Sequence, residues 1–357
     1  MKILHSADWH LDAPLSALEE SAAERLRREM KKVPEKIAAL CKQEKCDLLL
    51  LSGDLFDGAW SRQTLISVKE ILGDLEIPVI ITPGNHDFCA PGSPYLGEQW
   101  PENVYIFQKA KMESIALPEL SCRIYGAGYE SMDCPGLLKH FRAEGTERWH
   151  IGVLHGEAGG NATSPYCPIT KFQIQESGLD YLALGHIHKQ GSMPGGETVC
   201  VWPGCPMGHG FDETGDKGVI IATLEEGISA RFVPLDTPRF LEENVDVSDD
   251  PVAALAGILP ALESRDFYRV TLSGYCNDLD LNGLKDRFSH IPNLILRDET
   301  LPEVDLWSNT DQDTLEGLMF SALKEVADGP SEDAAARALL AARIFRRILD
   351  GQEVKLP

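Results

Sequence analysis

Two histidines one residue apart, His186 and His188 in DYLALGHIHKQ, end an apolar run and follow a glycine. Side chains at i and i+2 share a side of an extended chain, but diverge by roughly 200° on a helix of about 3.6 residues per turn. The pair can act together only if residues 181–184 form a strand and GHIH is its exit. Other apolar runs end in the same way. ADWH supplies Asp8 and His10, GDLFD supplies Asp54, PGNHD supplies Asn85 and His86, and LHGE supplies His155. Each lies where a strand would release the chain, so all would reach one edge of the sheets, with glycines where backbone must pass close to the cluster.

These residue types limit the chemistry. Carboxylate, amide oxygen and imidazole without thiolate suit Mn²⁺, Fe or Zn²⁺ in an open catalytic geometry better than a closed structural zinc site. If one carboxylate is shared, the set is large enough for two ions. Two ions about 3.5–4 Å apart polarise a phosphoryl group, stabilise the attacking and leaving oxygens, and bring the pKa of a bridging water toward neutrality. The expected reaction is hydrolysis of a phosphoester.

The elements that must position these residues can be read from periodicity. KILHSAD, CDLLLLSGD and IPVIITPGNH are strands, followed later by CRIYGAGYE, WHIGVLHGE, LDYLALGHIH, ETVCVWPGCP, GVIIATLEEG and ISARFVPL. Residues 25–41 have the helical spacing, with Leu26, Met30, Val33, Ile37 and Leu40 on one face and Pro34 placed to bend or interrupt it. A second helix should begin near Ser61. The second half of this region is too rich in strands for a doubly wound parallel sheet, so the expected fold is α/β, a two-sheet sandwich with helices outside. Residues 236–250 are polar and acidic and read as a connection. Beyond them come DFYRVTLSGY, a helix near residues 282–288, NLILRDE and two closing helices. The expected division is a catalytic domain over 1–235, a small α+β capping domain over 236–310 and a helical C-terminal segment over 311–357. In the last helix Leu340, Ile344 and Ile348 line one face, widened by Leu339, Phe345 and Leu349, against Arg337, Arg343, Arg346 and Arg347.

Composition narrows the setting. The chain has 357 residues, 43% apolar and 25% charged, and a formal net charge of −23. That charge argues against holding nucleic acid by bulk electrostatics alone. The C-terminal part from residue 236 carries 12 Lys/Arg against 24 Asp/Glu, about twice the acidity per residue of the rest. A polyanionic substrate would need metal and local basic groups, for which Arg25, Arg27, Arg28, Lys31 and Lys32 are candidates, although such a run is more often a solvated helix face. Nine cysteines without a CxxC pair read as reduced thiols, not a disulfide framework. MKILHSADWH reads as a buried strand and not a signal peptide, so a cytoplasmic location is expected, and the Asn161-Ala162-Thr163 sequon carries no meaning there.

The order DxH, GDxxD, GNHD, lone His and GHxH over about the first 210 residues resembles the calcineurin-like metallophosphoesterases. The resemblance implies that Asp8, His10, Asp54 and His188 hold one metal, and that Asp54 as bridge, Asn85, His155 and His186 hold the other. His86 would then face the phosphate as proton donor to the leaving oxygen or stabiliser of developing charge, a task suited to an imidazole whose ordinary pKa is about 6.5. HSADWHLDAPL, DLLLLSGDLFDG, GLDYLALGHIHK and PGCPMGHGFDETGDKG further resemble the SbcD-type DNA repair exonucleases, and ADWHLDAPL their YhaO-like bacterial branch. This second resemblance implies a Mn²⁺-preferring DNA exonuclease/endonuclease, homodimeric, working with an SMC-like ATPase that grips a helical C-terminal segment. Asp57 departs from some relatives that carry a histidine there. Hydrolysis of a nucleotide or another non-DNA phosphoester, and a non-catalytic scaffold that binds DNA ends, are the alternatives.

Overall fold

The run Leu48–Leu51 offers no polar face, so as a strand it must be covered on both sides. The computed structural model meets that demand with two packed sheets. It describes residues 1–159, 163–303 and 305–351. Asn161 and Ala162 of the sequon, and the chain beyond residue 351, lie outside the described residues.

The strands run in chain order as β1 (Lys2–Ser6), β2 (Leu48–Leu51), β3 (Val79–Ile81), β4 (Val104–Ile106), β5 (Glu113–Leu117), β6 (Cys122–Gly126), β7 (Trp149–His155), β8 (Tyr181–Gly185), β9 (Gly191–Gly195), β10 (Thr198–Trp202), β11 (Gly218–Leu224) and β12 (Ile228–Pro234). They form two six-stranded sheets of order β12-β11-β1-β2-β3-β4 and β5-β6-β7-β8-β10-β9. Strands β1 to β4 pair in parallel, as do β6, β7, β8 and β10, while β11, β12, β5 and β9 add antiparallel pairs. The alternation along β2 assigns its faces. Leu48 and Leu50 join Ile3, Ile80, Ile124, Ile151, Val153, Tyr181 and Ala183 between the sheets. Leu49 and Leu51 point the other way, onto Leu26, Met30, Ile37, Leu65, Val68 and Leu72. Those residues belong to α1 (Glu20–Met30), α2 (Val33–Glu44) and α3 (Arg62–Gly73). The far face of the second sheet buries Leu154, Leu182 and Leu184 against Ile174 of the short α4 (Lys171–Glu176) and the loops around it. The fold is the expected α/β sandwich.

Pro34 interrupts the helical run as anticipated. It stands in the first turn of α2, where its missing N–H has no intrahelical partner to lose. Ser61 caps α3 by accepting a bond from the Thr64 N–H at 3.1 Å. β4, β5 and β9 were not anticipated: each is an edge or near-edge strand with exposed positions, so its apolar pattern is broken.

The chain divides into two compact units. One comprises Met1–Glu243, Leu262–Arg269 and His290–Ile295; the other comprises Asn244–Ala261, Val270–Ser289 and the chain from Leu296. The stretch 236–250 is not a bare connection, since it contains β13 (Phe240–Asp246), with α5 (Pro251–Ile258) immediately after it. Its acidic residues occupy the strand's exposed positions, which disguised it. β13 forms a three-stranded sheet with β14 (Phe267–Ser273) and β15 (Leu294–Asp298), in the order β13-β14-β15, and α6 (Leu281–Arg287) lies between the last two in sequence. α7 (Leu315–Ala327) and α8 (Glu332–Leu349) pair through Phe320, Leu323, Leu339, Ala342 and Phe345. Of the stripe of α8 singled out above, Leu339 and Phe345 thus face α7, whereas Leu340 and Ile348 are 42% and 58% exposed. No described helix is long and apolar enough to cross a membrane, and all nine cysteines are free thiols.

Candidate metal centre

β1, β2, β3, β7 and β8 all release the chain at one edge of the two sheets, and every residue singled out from the motifs gathers there. Ligand-type atoms of Asp8, His10 and His188 lie within 4.8 Å of one another, as do those of Asp8, Asp54 and His155, and those of His10, Asp54 and His86. Asn85 completes the set: its Oδ1 is 2.9 Å from His155 Nε2 and 3.2 Å from His186 Nδ1. The Nε2 atoms of His10 and His188 approach to 3.1 Å. Adjacent ligands of one ion, each about 2.0–2.1 Å from it, lie about 3 Å apart, so this spacing is that of ligands facing a common cation.

The convergence requires unusual backbone. Asp8 (φ 54°), His10 (φ 47°), Asp54 (φ 53°) and His186 (φ 91°) all adopt the left-handed region that side-chain-bearing residues avoid. Such conformations persist only where surrounding structure over-determines them. At His186 the turn also separates the GHIH pair. His186 is directed to Asn85, whereas His188 is directed to His10, so neighbours in sequence serve opposite sides of the cluster.

Glycines make room. A Cβ on Gly84 would stand 2.2 Å from Asp54 Oδ1, and one on Gly53 would stand 2.2 Å from His155 Nδ1. Asp87, the last residue of GNHD, is structural. Buried at 4% exposure, it accepts from the N–H groups of Leu55 (2.7 Å), Phe56 (3.3 Å) and Gly84 (2.7 Å) and from Tyr95 Oη (2.5 Å), tying the GDLFD loop to the GNHD loop.

The electrostatics call for a cation. Asp8 and Asp54 are buried at 0% and 1% exposure. Burial pushes the Asp8 carboxyl up, against the pull of His155 and His188. Burial would also raise Asp54, but His155, His10 and His86 around it hold it well below the ordinary carboxylate range. Desolvation disfavours the charged form of His155, yet the Asp54 carboxylate, 3.2 Å from its Nε2, carries it up to about 9. His186 is lowered to about 4 by burial and by His155. Two buried carboxylates among imidazoles that compete for protons are what a divalent ion would satisfy, and the donor set of O and N atoms fits such ions.

Outer contacts fix which ring nitrogen faces inward. His155 Nδ1 donates to the Ser52 carbonyl at 2.9 Å, leaving Nε2 toward Asp54 and Asn85. His188 Nδ1 donates to Glu213 Oε1, leaving Nε2 toward His10. Asp57 joins His10 Nδ1 at 3.1 Å and His86 Nδ1 at 2.6 Å through one oxygen. Those bonds to His10 and His86 hold its carboxyl below the ordinary range, and the same bond raises His86. His86 is the most open of the set, its side chain 46% exposed. Asp57 was marked from sequence only as a departure from relatives with histidine there, and Glu213 and His209 were not identified as parts of the site. Glu213 and His209 stand in PGCPMGHGFDETGDKG, several positions beyond the exit of β10, and only a scan for carboxylates that could serve the GHIH imidazoles would have flagged them.

The chain is similar to other proteins in sequence and in fold. The profile of the calcineurin-like phosphoesterases matches residues 1–190. A protein of Bacillus subtilis (strain 168) named "uncharacterized metallophosphoesterase YhaO" is 32% identical over 262 residues, which cover 70% of this chain and 64% of the relative. The match thus spans less than two thirds of the relative's length. Among solved structures, a dimetal phosphatase from Danio rerio superposes with a TM-score of 0.42 and 14% identity, covering 66% of this chain and 98% of that one. A novel archaeal phosphodiesterase superposes with a TM-score of 0.37 and 14% identity, covering 65% and 100%. All the donors from Asp8 to His188 fall inside the matched residues 1–190, and on that sequence match the chain belongs to the calcineurin-like phosphoesterase family.

Proposed function

We propose that the chain is a two-metal phosphodiesterase whose substrate is DNA, acting as an exonuclease or endonuclease in DNA repair. The observation that carries the hydrolytic part is the single cluster in which buried Asp8 and Asp54 meet His10, Asn85, His155, His186 and His188. Asp8, His10, Asp54 and His188 would hold one divalent ion, and Asp54, Asn85, His155 and His186 the other, with Mn²⁺ the first choice and Fe or Zn²⁺ compatible with the same donors. The ions would supply an activated water and neutralise charge on the phosphoryl group.

The protein's own groups do the rest. Asp54 sits between the two halves, its Oδ1 accepting from the His86 N–H at 2.9 Å and its Oδ2 lying 3.2 Å from His155 Nε2. Asp57 engages His86 through Nδ1 and so reserves Nε2 for the departing oxygen.

Support for a polyanionic substrate comes from a groove of about 1040 Å³ on the first unit. It is lined by Arg25, Arg28, Lys31, Lys32, Arg239 and Arg265, with Glu29, Asp216, Asp236, Glu263 and Asp266 among them. That gathers basic groups on a chain with 33 Lys/Arg and 56 Asp/Glu. The outward stripe of α8 supports an SMC-like ATPase as partner, and the family resemblance a homodimer; the free thiols suit a cytoplasmic setting.

The test is to incubate labelled duplex and hairpin DNA, and separately a small phosphodiester, with the Mn²⁺-loaded protein. Cleavage of DNA is expected. Hydrolysis of the small diester alone would remove DNA as substrate, and DNA binding with no hydrolysis of either would remove the enzyme. Solution mass tests the dimer.

A further inference from the structure

Glu213 holds a second imidazole besides His188. Its Oε1 accepts from His188 Nδ1, while its Oε2 accepts from His209 Nδ1 at 3.0 Å and from the His209 backbone N–H at 2.8 Å. The Cys205 thiol donates to Oε2 as well, at 3.4 Å. A carboxylate only accepts, so each imidazole turns an Nδ1–H toward Glu213, and in the neutral ring the lone pair is then on Nε2. For His188 that lone pair faces His10. For His209, Nε2 is buried and has no hydrogen-bond partner among the described residues. The His209 ring lies edge-on to that of His10, with centroids 5.3 Å apart, and 5.8 Å from that of His188. A buried nitrogen with nothing to accept from carries a desolvation cost, which its surroundings should repay when the site is complete.

We infer that His209 is a positioning residue of the metal centre: its Nε2 accepts a hydrogen bond from a water or hydroxyl group bound at the ion of Asp8, His10, Asp54 and His188. The inference rests on the two-ion reading above and adds to it. A lone pair cannot bond to a bare phosphoryl oxygen, which is also an acceptor, so the group it meets must carry O–H. Cys205, Glu213 and His209 thereby line one largely buried flank of His188. Glu213 is the common anchor, orienting one imidazole toward the ion and the other toward what the ion holds.

Water exchange measures this without any substrate. Proton relaxation of solvent water reports the residence time of water on protein-bound Mn²⁺, and calorimetric titration reports how many ions bind. His209→Leu keeps apolar volume and removes the acceptor, whereas His209→Gln offers an amide oxygen in its place. Both variants should bind two ions per chain with affinity within about threefold of the parent. The residence time should shorten severalfold in His209→Leu and recover at least in part in His209→Gln. The kcat toward a small phosphodiester should fall about tenfold or more in His209→Leu, with KM little changed. Loss of one ion in either variant would make His209 a direct ligand and overturn the inference, as would unchanged water exchange in His209→Leu. A parent protein that binds no Mn²⁺ would overturn the two-ion reading together with it.

Discussion

Replacing Gly84 by alanine isolates the geometry of the metal centre, because it adds one methyl group and alters no donor. The backbone at Gly84 is not in the left-handed region, so alanine meets no conformational penalty there. Its Cβ would stand 2.2 Å from Asp54 Oδ1, 2.9 Å from Asp54 Cγ and 2.9 Å from His155 Cδ2. Comfortable non-bonded contact needs about 3.5 Å, so the Asp54 carboxylate or the GNHD loop must move by about 1 Å. The loop is anchored by the Gly84 N–H to Asp87 at 2.7 Å, and Asp54 Oδ1 accepts from the His86 N–H at 2.9 Å. Neither can yield without breaking a bond that aligns the site. Overpacking of this kind costs about 1–3 kcal/mol of stability, and a misplacement of about 1 Å at a reacting centre costs about 100-fold in rate. Gly84→Ala should therefore remain folded at 25 °C, with kcat/KM toward a small phosphodiester reduced about 100-fold and a weaker second ion in a Mn²⁺ titration. Parental activity with two tightly bound ions would show that Asp54 does not have to sit where it does, and the bridging role would fall.

Further tests address other parts of the argument. Asp87→Asn puts an amide NH₂ among donors that need an acceptor, and should cost about 3 kcal/mol or more in urea unfolding; a loss below about 1 kcal/mol would mean the GDLFD and GNHD loops do not depend on that hub. Chelation should abolish hydrolysis and Mn²⁺ should restore it while far-UV circular dichroism stays constant, whereas unfolding on chelation would point to a structural metal. His5 is fully buried, with Nε2 at 2.8 Å from Ser52 Oγ, and burial lowers its pKa from the ordinary 6.5 to about 3. The unfolded chain therefore takes up the proton first, and stability present above about pH 6.5 is lost as pH falls toward 3. Between these values the parent should lose about 1.4 kcal/mol per pH unit more than His5→Gln, and identical slopes would refute the assignment. Leu340→Glu with Ile348→Glu should leave helix content and phosphodiester hydrolysis unchanged and abolish co-purification of the proposed SMC-like ATPase; unchanged association would refute the α8 stripe as its docking surface.

What could be read from sequence and what could not divide along a physical line. A strand exit combines a local apolar pattern with a polar residue at its end, and both parts lie within a few positions. For that reason Asp8, His10, Asp54, Asn85, His86, His155, His186 and His188 could be named together before any fold was known. The acidic β13 and the edge strands β4, β5 and β9 lacked such a pattern, because one face of each meets water. On α8 the period was legible and the stripe divides in two: Leu339 and Phe345 pack with Ala342 against α7, while Leu340 and Ile348 are exposed. The carboxylates that aim the imidazoles were hidden for a further reason. Glu213 meets His188 across 25 residues and Asp57 meets His10 across 47, in pairings set by loop paths and not by any repeat. Yet these pairings decide which nitrogen of each ring faces the ions, and hence whether a strand exit rich in histidines can hold metal at all. Glu213→Gln tests that point directly. An amide in its place can donate to one imidazole while accepting from the other, so one ring must change tautomer or turn. Mn²⁺ affinity should fall by about 10–100-fold with all the proposed ligands still in place, and unchanged affinity would mean that the ligands orient themselves.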